Sequence, residues 1–297
     1  MDVDTLNKTF GLGDNVRFAA GEGGLVKAVV RLTTGEYLEV YSLGAHITCF
    51  GKPELGELLF LSKTAKFRVG TAIRGGIPIV FPQFGGGELP SHGFARSSLW
   101  TFSAVERSGN DIILKLTLES SDETLKAWPH RFRAEYQITV SSTLRIRFSV
   151  TNTNDTGAFA YQCAFHSYFE IGEIAGAGVL GLEDTVFLDN VKARQVGHEA
   201  HERLKFDGEI DRIYLNARPK LRIESDQLRR AIILESIGLP DAVVWNPWEE
   251  RERTFSDLEP GSHRRFLCVE SGAIGAPIRI GAGETTVCEF TVSASKL

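Results

Sequence analysis

The chain has 297 residues, 24% of them charged, and a formal net charge of −5. A chain of this length forms one large domain or two small ones, and it can bury a large core without disulfides or a structural metal. Its ordinary composition, with 30 glycines and 10 prolines, excludes collagen-like, coiled-coil and wholly disordered proteins. Because the sequence has no dense block of lysine and arginine, we expect no nucleic-acid partner.

The sequence also argues against a membrane protein or a secreted one. No apolar run approaches the ~20 residues that a transmembrane helix needs, and the acidic start of the chain differs from a signal peptide. The four cysteines show no Cys-x-x-Cys spacing; they are Cys49, Cys163, Cys268 and Cys288. This usage favours buried thiols in a reducing compartment over a disulfide framework or a zinc site.

In chain order, the first clear element is a strand at Leu114–Leu118, where apolar and polar residues alternate. One helical turn is predicted over Asp122–Ala127. Ser120 and Glu123 fit a capping box at its start, and Pro129 prevents its continuation.

The strongest prediction is a β-hairpin between residues 134 and 150. Apolar residues alternate over 134–140 and 144–150, and the polar turn Ser141-Ser142-Thr143 separates the two runs. The charged stretch Gln195–Asp211 is predicted to be a long surface loop, and alternation returns over 288–292. Period two dominates, and neither a linker nor a long amphipathic helix is evident. We therefore predict one all-β domain over residues 1–297, built as a large antiparallel sandwich.

The segment Gly176–Gly181 matches the pattern GxGxxG of dinucleotide-binding proteins. That motif binds a pyrophosphate only where a strand precedes it and a helix follows it. The following segment, Leu182–Leu188, is typical of a strand. We therefore interpret the glycines as part of a sheet edge and expect no nucleotide cofactor.

Three stretches that interrupt the alternation contain the candidate functional residues. Arg74 and Arg96 lie among apolar residues, glycines and prolines, where a guanidinium needs a carboxylate or phosphate partner. His166 lies in an aromatic strand, where burial would lower its pKa. Glu270 lies in an apolar strand, and a salt bridge to an arginine or a catalytic role would equally explain it.

The seven histidines form neither HxH nor HExxH, so the sequence predicts no metal site. His46 lies in an apolar stretch and is predicted to be a core or edge residue with its hydrogen bonds satisfied. The functional candidates, which have aromatic and Gly or Pro neighbours, are His92, His130 and His166.

Six motifs occur in order between about residues 25 and 292. They are Ile73–Pro78, His92–Arg96, His166–Phe169, Glu209–Tyr214, Trp245–Trp248 and Cys268–Glu270. Together they resemble the D-hexose-6-phosphate mutarotases (glucose-6-phosphate 1-epimerases), a branch of the aldose-epimerase superfamily. This resemblance implies an antiparallel β-supersandwich, galactose mutarotase-like, with only short helical turns.

The resemblance also implies roles for individual residues. His166 corresponds to the catalytic acid of the family and Glu270 to its catalytic base. The positions that correspond to substrate contacts are Arg74, Ser91, His92, Arg96 and Asp211. The two arginines are the expected phosphate ligands, Asp211 is expected to bind the sugar, and Ser91 replaces a glutamine that many members carry. Trp128, His130 and Trp245 are further candidates to face the sugar, although core packing is the favoured role for each tryptophan.

The implied activity is interconversion of the α and β anomers of glucose 6-phosphate. One acid and one base suffice for ring opening and reclosure, so we expect neither cofactor nor metal. Three alternatives are a mutarotase for unphosphorylated aldoses, a non-catalytic sugar-phosphate-binding protein and a glycoside hydrolase. The arginine pair argues against the first and the His166–Glu270 pair against the second, while the carboxylate pair of a hydrolase is not evident.

The final tripeptide, Ser295-Lys296-Leu297, matches the peroxisomal import signal. It predicts an import receptor as a partner and a location in a peroxisome or glycosome, with the cytoplasm as the alternative. The sequence does not define the oligomeric state, and a monomer is compatible with it.

Overall fold

The computed structural model describes residues 1–297, which form 22 strands and a few short helices. The α-helices are α1 (Val3–Phe10), α2 (Asp122–Ala127) and α3 (Trp248–Glu252). Single 3-10 turns cover Glu22–Gly24, Ala95–Ser97, Ile174–Gly176 and Ser262–Arg264. None of the helices has the length and apolar character needed to cross a bilayer.

The strands account for most of the regular structure. The first five are β1 (Val16–Ala20), β2 (Val26–Arg31), β3 (Tyr37–Tyr41), β4 (Ile47–Lys52) and β5 (Gly56–Glu57). The next seven are β6 (Ile79–Val80), β7 (Thr101–Ser108), β8 (Asp111–Glu119), β9 (Phe132–Val140), β10 (Leu144–Asn152), β11 (Phe159–Phe165) and β12 (Tyr168–Glu170). The last ten are β13 (Ala177–Leu180), β14 (Val186–Asp189), β15 (Gln195–His198), β16 (Arg203–Leu204), β17 (Ile210–Tyr214), β18 (Lys220–Ser225), β19 (Arg230–Ile237), β20 (Asp241–Asn246), β21 (Phe266–Ile280) and β22 (Thr285–Lys296).

These strands form three antiparallel sheets. A five-stranded sheet has the order β1-β2-β3-β4-β5. A nine-stranded sheet has the order β16-β13-β18-β19-β22-β10-β9-β8-β7, and an eight-stranded sheet has β15-β14-β17-β20-β21-β11-β6, with β12 also paired to β21. The prediction of an all-β, antiparallel supersandwich with short helical turns is confirmed.

The two large sheets pack against each other around the main core. Phe165 on β11 stacks on Phe290 of β22 with ring centroids 5.4 Å apart. The hairpin of β9 and β10 has the predicted register around its polar turn, with Leu144 opposite Val140. Along both strands buried residues alternate with more exposed ones, because only one face of this sheet meets the core.

The eight-stranded sheet is covered on both faces at its centre. Every residue of β20 is buried, and so are the first nine residues of β21. A second apolar cluster, which includes Phe60, Tyr168, Trp245 and Phe266, covers the face that points away from the main core. This double burial explains why the sequence around Glu270 shows no alternation.

Helix α2 has the predicted bounds but a different cap. The Oγ of Ser121 accepts from the Thr124 amide at 3.3 Å, and the Ser121 amide donates to the Thr124 hydroxyl at 2.8 Å. The prediction of a Ser120–Glu123 box is wrong because the Ser120 amide donates to the Phe132 carbonyl at the end of the sheet. Helix α1 was not predicted, although the Asp2 carboxylate caps it by accepting from the Thr5 amide at 2.8 Å.

The order of the strands in the sheets decides the predictions for two further segments. The predicted surface loop Gln195–Asp211 contains β15, β16 and the start of β17, so that prediction is wrong. The glycine-rich segment Gly176–Gly181 contains β13, which pairs with β16 and β18. A turn and β14 follow it, so no helix N-terminus is available for a pyrophosphate.

Candidate active site

Strand pairing brings His166 and Glu270 together although they are far apart in sequence. Strand β11 pairs with β21 up to Phe165 opposite Ser271, and pairing resumes in β12 with Tyr168 opposite Cys268. The intervening His166 therefore lies beside Glu270. Its Nδ1 is 3.3 Å from the Glu270 Oε1.

A pocket of about 380 Å³ opens over this pair on the outer face of the eight-stranded sheet. All the residues that the sequence singled out as catalytic or substrate-binding line it, namely Arg74, Ser91, His92, Arg96, His166, Asp211 and Glu270. The structure thus places all seven residues in one pocket, and the role of each residue stays a prediction.

Arg74 reaches the pocket from a segment held tightly against the sheet edge. Gly75 next to it has φ of 108°, and a Cβ there would be 2.5 Å from the Phe60 carbonyl oxygen, so only glycine fits. The Nη1 of Arg74 donates to the Tyr168 hydroxyl at 2.9 Å. Its Nε is 3.3 Å from the Asp257 Oδ1, and its guanidinium lies 4.8 Å from the centre of the Phe255 ring.

His92 and Arg96 come from one turn that packs against Phe81. At Gly93 a Cβ would be 2.1 Å from the Phe81 carbonyl oxygen, so the close approach of this turn requires glycine. Burial, followed by the charge of Arg96, lowers the pKa of His92 to about 3, so its imidazole is neutral at physiological pH. The Nη2 of Arg96 donates to the Ser91 carbonyl at 2.7 Å. The other N–H groups of the Arg96 guanidinium take no part in this hydrogen bond.

Asp211 lies on β17, two strands away from Glu270. Asp211 pairs with Trp245 on β20, while Val243, two residues before Trp245, pairs with Glu270. Side chains two residues apart on a strand share a face, so both carboxyl groups point to the pocket. The Asn190 side-chain amide donates to the Asp211 Oδ1 at 2.8 Å and fixes its orientation.

The two central groups both have pKa values displaced toward the neutral form. Burial lowers the pKa of His166 well below its usual value, and nearby positive charge, on His92 when it is protonated and on Arg96 and Arg74, contributes in the same direction. Burial raises the pKa of Glu270 well above its usual value, with a further contribution from the negative charge of Asp211.

Neither His166 Nδ1 nor Glu270 Oε2 has a hydrogen-bond partner in the protein, although both are buried. Glu270 makes no ion pair with an arginine, so the salt-bridge explanation of this carboxyl group is wrong, and the titratable side chain beside it is His166. Buried polar atoms without partners are costly in a stable interior and are typical of sites that bind a ligand. The pair is therefore suited to hydrogen-bond a polar molecule in the pocket.

The structure adds lining residues that sequence reasoning missed, namely Asn190, Arg251, Phe255 and Asp257. The last three lie in a charged segment with no periodic pattern, so no sequence signal separated them from solvated surface residues. Of the aromatic candidates only Trp245 lines the pocket. Trp128 and His130 instead pack on Phe159, with ring centroids 4.8 Å and 5.1 Å away. No group of three or more potential metal ligands is present in the chain.

The fold matches solved structures over nearly its whole length. A crystal structure described as a "putative mutarotase (YeaD)" from Salmonella typhimurium superposes with a TM-score of 0.90 at 29% identity, covering 99% of this chain and 100% of that one. Galactose 1-epimerase from Lactobacillus acidophilus superposes with a TM-score of 0.72 at 13% identity, covering 95% and 99%, which shows a common fold. The sheets thus define a protein with the galactose mutarotase-like fold.

Sequence comparisons agree with this class. A protein from Cenchrus ciliaris named "Putative glucose-6-phosphate 1-epimerase" is 36% identical over 280 residues, covering 91% of this chain and 85% of the relative. A protein of the same name from Escherichia coli is 33% identical over 237 residues, covering 77% and 76%. The sequence model of the aldose 1-epimerase family matches residues 28–293, and the chain belongs to that family.

Proposed function

We propose that this protein interconverts the α and β anomers of D-glucose 6-phosphate, with other hexose 6-phosphates as further candidate substrates. The observation that carries the proposal is the His166–Glu270 pair, 3.3 Å apart, in a pocket that also contains Arg74 and Arg96. The pair supplies one acid and one base, and the arginines supply positive charge for a phosphate.

Anomer exchange needs two proton transfers at one carbon centre. Glu270 takes the proton of the C1 hydroxyl while His166 protonates the ring oxygen, and the C1–O5 bond breaks. Rotation about C1–C2 exposes the other face of the aldehyde, and the same two groups then act in reverse as the ring closes. Each positioned proton transfer contributes roughly 10²–10⁴ to the rate.

Before substrate binds, burial favours the neutral form of both groups, with the proton on the Glu270 carboxyl group. An ionised Glu270 beside a protonated His166 contains the same number of protons as the neutral pair, but burial favours the neutral form. A bound phosphate offsets the charges of Arg74 and Arg96, which lower the pKa of His166. Substrate binding thereby makes transfer of the proton to His166 easier.

Phosphate selection follows from the charge of the pocket. A sugar phosphate carries nearly two negative charges at pH 7, and arginine binds phosphate through parallel N–H donors. Arg96 has N–H groups beyond its contact with the Ser91 carbonyl, so we assign it the leading phosphate contact, with Arg74 beside it.

The test compares rates of anomer exchange, measured by exchange spectroscopy of the anomeric protons, for four sugars. These are the 6-phosphates of glucose, galactose and mannose, and free glucose. We expect acceleration for glucose 6-phosphate and little for glucose, with a doubly substituted His166→Ala, Glu270→Gln protein as the blank. Equal acceleration of free glucose would indicate a general aldose mutarotase, and binding without acceleration would indicate a sugar-phosphate-binding protein.

A further inference from the structure

Arg74 has three neighbours in the pocket, and two of them are sufficient to orient it. Its Nη1 donates to the hydroxyl of Tyr168, which is 2% exposed and fixed on β12. Its guanidinium also lies over the Phe255 ring at 4.8 Å. A hydrogen bond to a buried group and an aromatic contact together restrict both the direction and the plane of the side chain.

The third neighbour, Asp257, contributes mainly its negative charge. Its Oδ1 is 3.3 Å from the Arg74 Nε, but this N–H has no acceptor in hydrogen-bonding geometry. The side chains of Arg74 and Asp257 are only 20% and 16% exposed. A guanidinium removed from water to this extent needs a nearby negative charge, and Asp257 provides it.

A phosphate bound at Arg74 would lie beside this carboxylate. Two like charges a few ångströms apart repel each other strongly in a partly buried pocket, where screening is weak. We propose that Asp257 is a specificity-determining residue, a counterion of Arg74 that the phosphate of the substrate displaces. It thereby limits how tightly the pocket holds phosphorylated ligands. This inference rests on the proposed function, because it takes the ligand to be a phosphorylated sugar.

A buried carboxylate anchors the segment that carries Asp257. The carboxylate of Glu252, which is 3% exposed, accepts from the Gly261 amide at 2.7 Å and from the His263 amide at 2.6 Å. These bonds close the segment 253–260 at both ends. With the backbone anchored in this way, we assign the displacement of Asp257 to rotation of its side chain.

The test is the Asp257→Asn variant, with inorganic phosphate as a probe in addition to the sugar. We expect KM for glucose 6-phosphate and the inhibition constant of inorganic phosphate each to fall about tenfold, as loss of one repulsive charge in a partly screened pocket predicts. The rate on free glucose, which carries no phosphate to be repelled, should change much less than these two constants. Asp155→Asn removes the same charge from an exposed turn and should change none of these constants.

Direct titration calorimetry with inorganic phosphate separates this inference from the proposed function. If the wild-type protein binds phosphate and exchanges glucose 6-phosphate but Asp257→Asn binds no more tightly, the inference is wrong and the proposed function stands. If the wild-type protein does neither, both are wrong. Asp257→Ser, checked by thermal unfolding, repeats the measurement should the asparagine variant fold poorly, and tighter phosphate binding there supports the inference equally.

Discussion

Glu270 lies where the proposed chemistry requires a base, but its burial destabilises the folded chain. The residue is 1% exposed, and burial is the main reason that its pKa lies well above the usual value. Below the pKa of the unfolded chain the carboxyl group is protonated in both states. As the pH rises above that value, the unfolded chain releases the proton more readily, so the folded state loses stability until the folded pKa is passed.

Glu270→Gln should therefore lower activity and raise stability. We expect kcat to fall by about 10²–10⁴, because the base is lost while the side-chain shape is kept. The midpoint of thermal unfolding should rise at pH 8, by about 2–4 °C for each kcal/mol gained in a domain of this size. The measurements are anomer exchange and calorimetric unfolding at pH 5 and pH 8.

The gain should be smaller at pH 5 than at pH 8. Glu289→Gln, which removes a carboxylate from β22 outside the pocket, is the matched control and should keep full activity. Full anomer exchange in Glu270→Gln would reject the role of the base, and a larger gain at pH 5 would contradict the burial argument.

Arg96 should determine affinity for the phosphorylated substrate more than the rate of the chemical step. We expect Arg96→Ala to raise KM for glucose 6-phosphate about 10–100-fold, the loss of one charged hydrogen-bonded contact. Exchange of free glucose should change much less. Steady-state rates on both sugars make the comparison, with the exposed Arg145→Ala as the control for charge. Equal loss on both sugars would contradict a phosphate role.

The residues that sequence reasoning located share a property that the others lack. His166, Glu270 and the arginines stand out because polar groups interrupt apolar segments, and such groups need a partner. Asp257 and Arg251 lie in a charged segment. A charged side chain there would be equally stable in solvent, so its presence does not indicate a functional role. Only the path of the chain across the pocket shows that they face it.

The segment from α3 to the 3-10 turn at Ser262–Arg264 depends on one buried carboxylate. Glu252 accepts from two backbone amides and from the Ser262 hydroxyl, the last at 2.7 Å. Burial alone would raise the pKa of Glu252, but these hydrogen bonds outweigh it and hold the pKa below its usual value. The ionised side chain thus fixes the segment that carries Phe255 and Asp257.

Glu252→Ala should release this segment. Several buried donors lose their acceptor, so we expect a loss of about 1–3 kcal/mol in the free energy of unfolding. Hydrogen exchange should become faster over residues 253–261 before it changes in β20 or β21. Glu250→Ala, an exposed neighbour on the same helix, should have neither effect. Unchanged exchange in Glu252→Ala would show that other contacts hold the segment.

Elements differed in how far the sequence determined them. The hairpin of β9 and β10 was predictable because one face is buried and the other is not, so the alternation is visible. Strands β15 and β16 have four and two residues and lie at sheet edges, where few apolar positions are required. Their pairing with β14 and β13 depends on tertiary structure, which a local pattern does not contain.

The sheets bring motifs that are far apart in the sequence close together in space. The nine-stranded sheet covers one face of the eight-stranded sheet, and the other face carries the pocket. Motifs that precede β7 therefore meet motifs that follow β20. They meet over β21, which pairs with both β11 and β20. The order of the motifs was visible in the sequence. Their meeting in one pocket depends on the order of the strands in the sheet, which the sequence does not show.

The last strand, β22, leads into the C-terminal tripeptide. We propose that Ser295-Lys296-Leu297 directs the protein to a peroxisome or glycosome through an import receptor. In the structure Ser295 and Lys296 pair with β19, and the Leu297 amide donates to the Arg229 carbonyl at 3.0 Å. All three residues are exposed, so their release would uncover little apolar surface.

The import prediction can be tested with the full chain carrying a fluorescent protein at its N terminus. A receptor must take the tripeptide away from β19, and strand ends that bury little open at low cost in free energy. We expect the fusion to collect in peroxisomes or glycosomes, and a chain that lacks residues 295–297 to stay in the cytosol. Glu54→Ala, which removes the ion pair to the Lys296 Nζ at 2.7 Å, should leave import intact. Cytosolic fluorescence of the full-length fusion would reject the signal, and organelle fluorescence of the truncated chain would show that another segment supplies it.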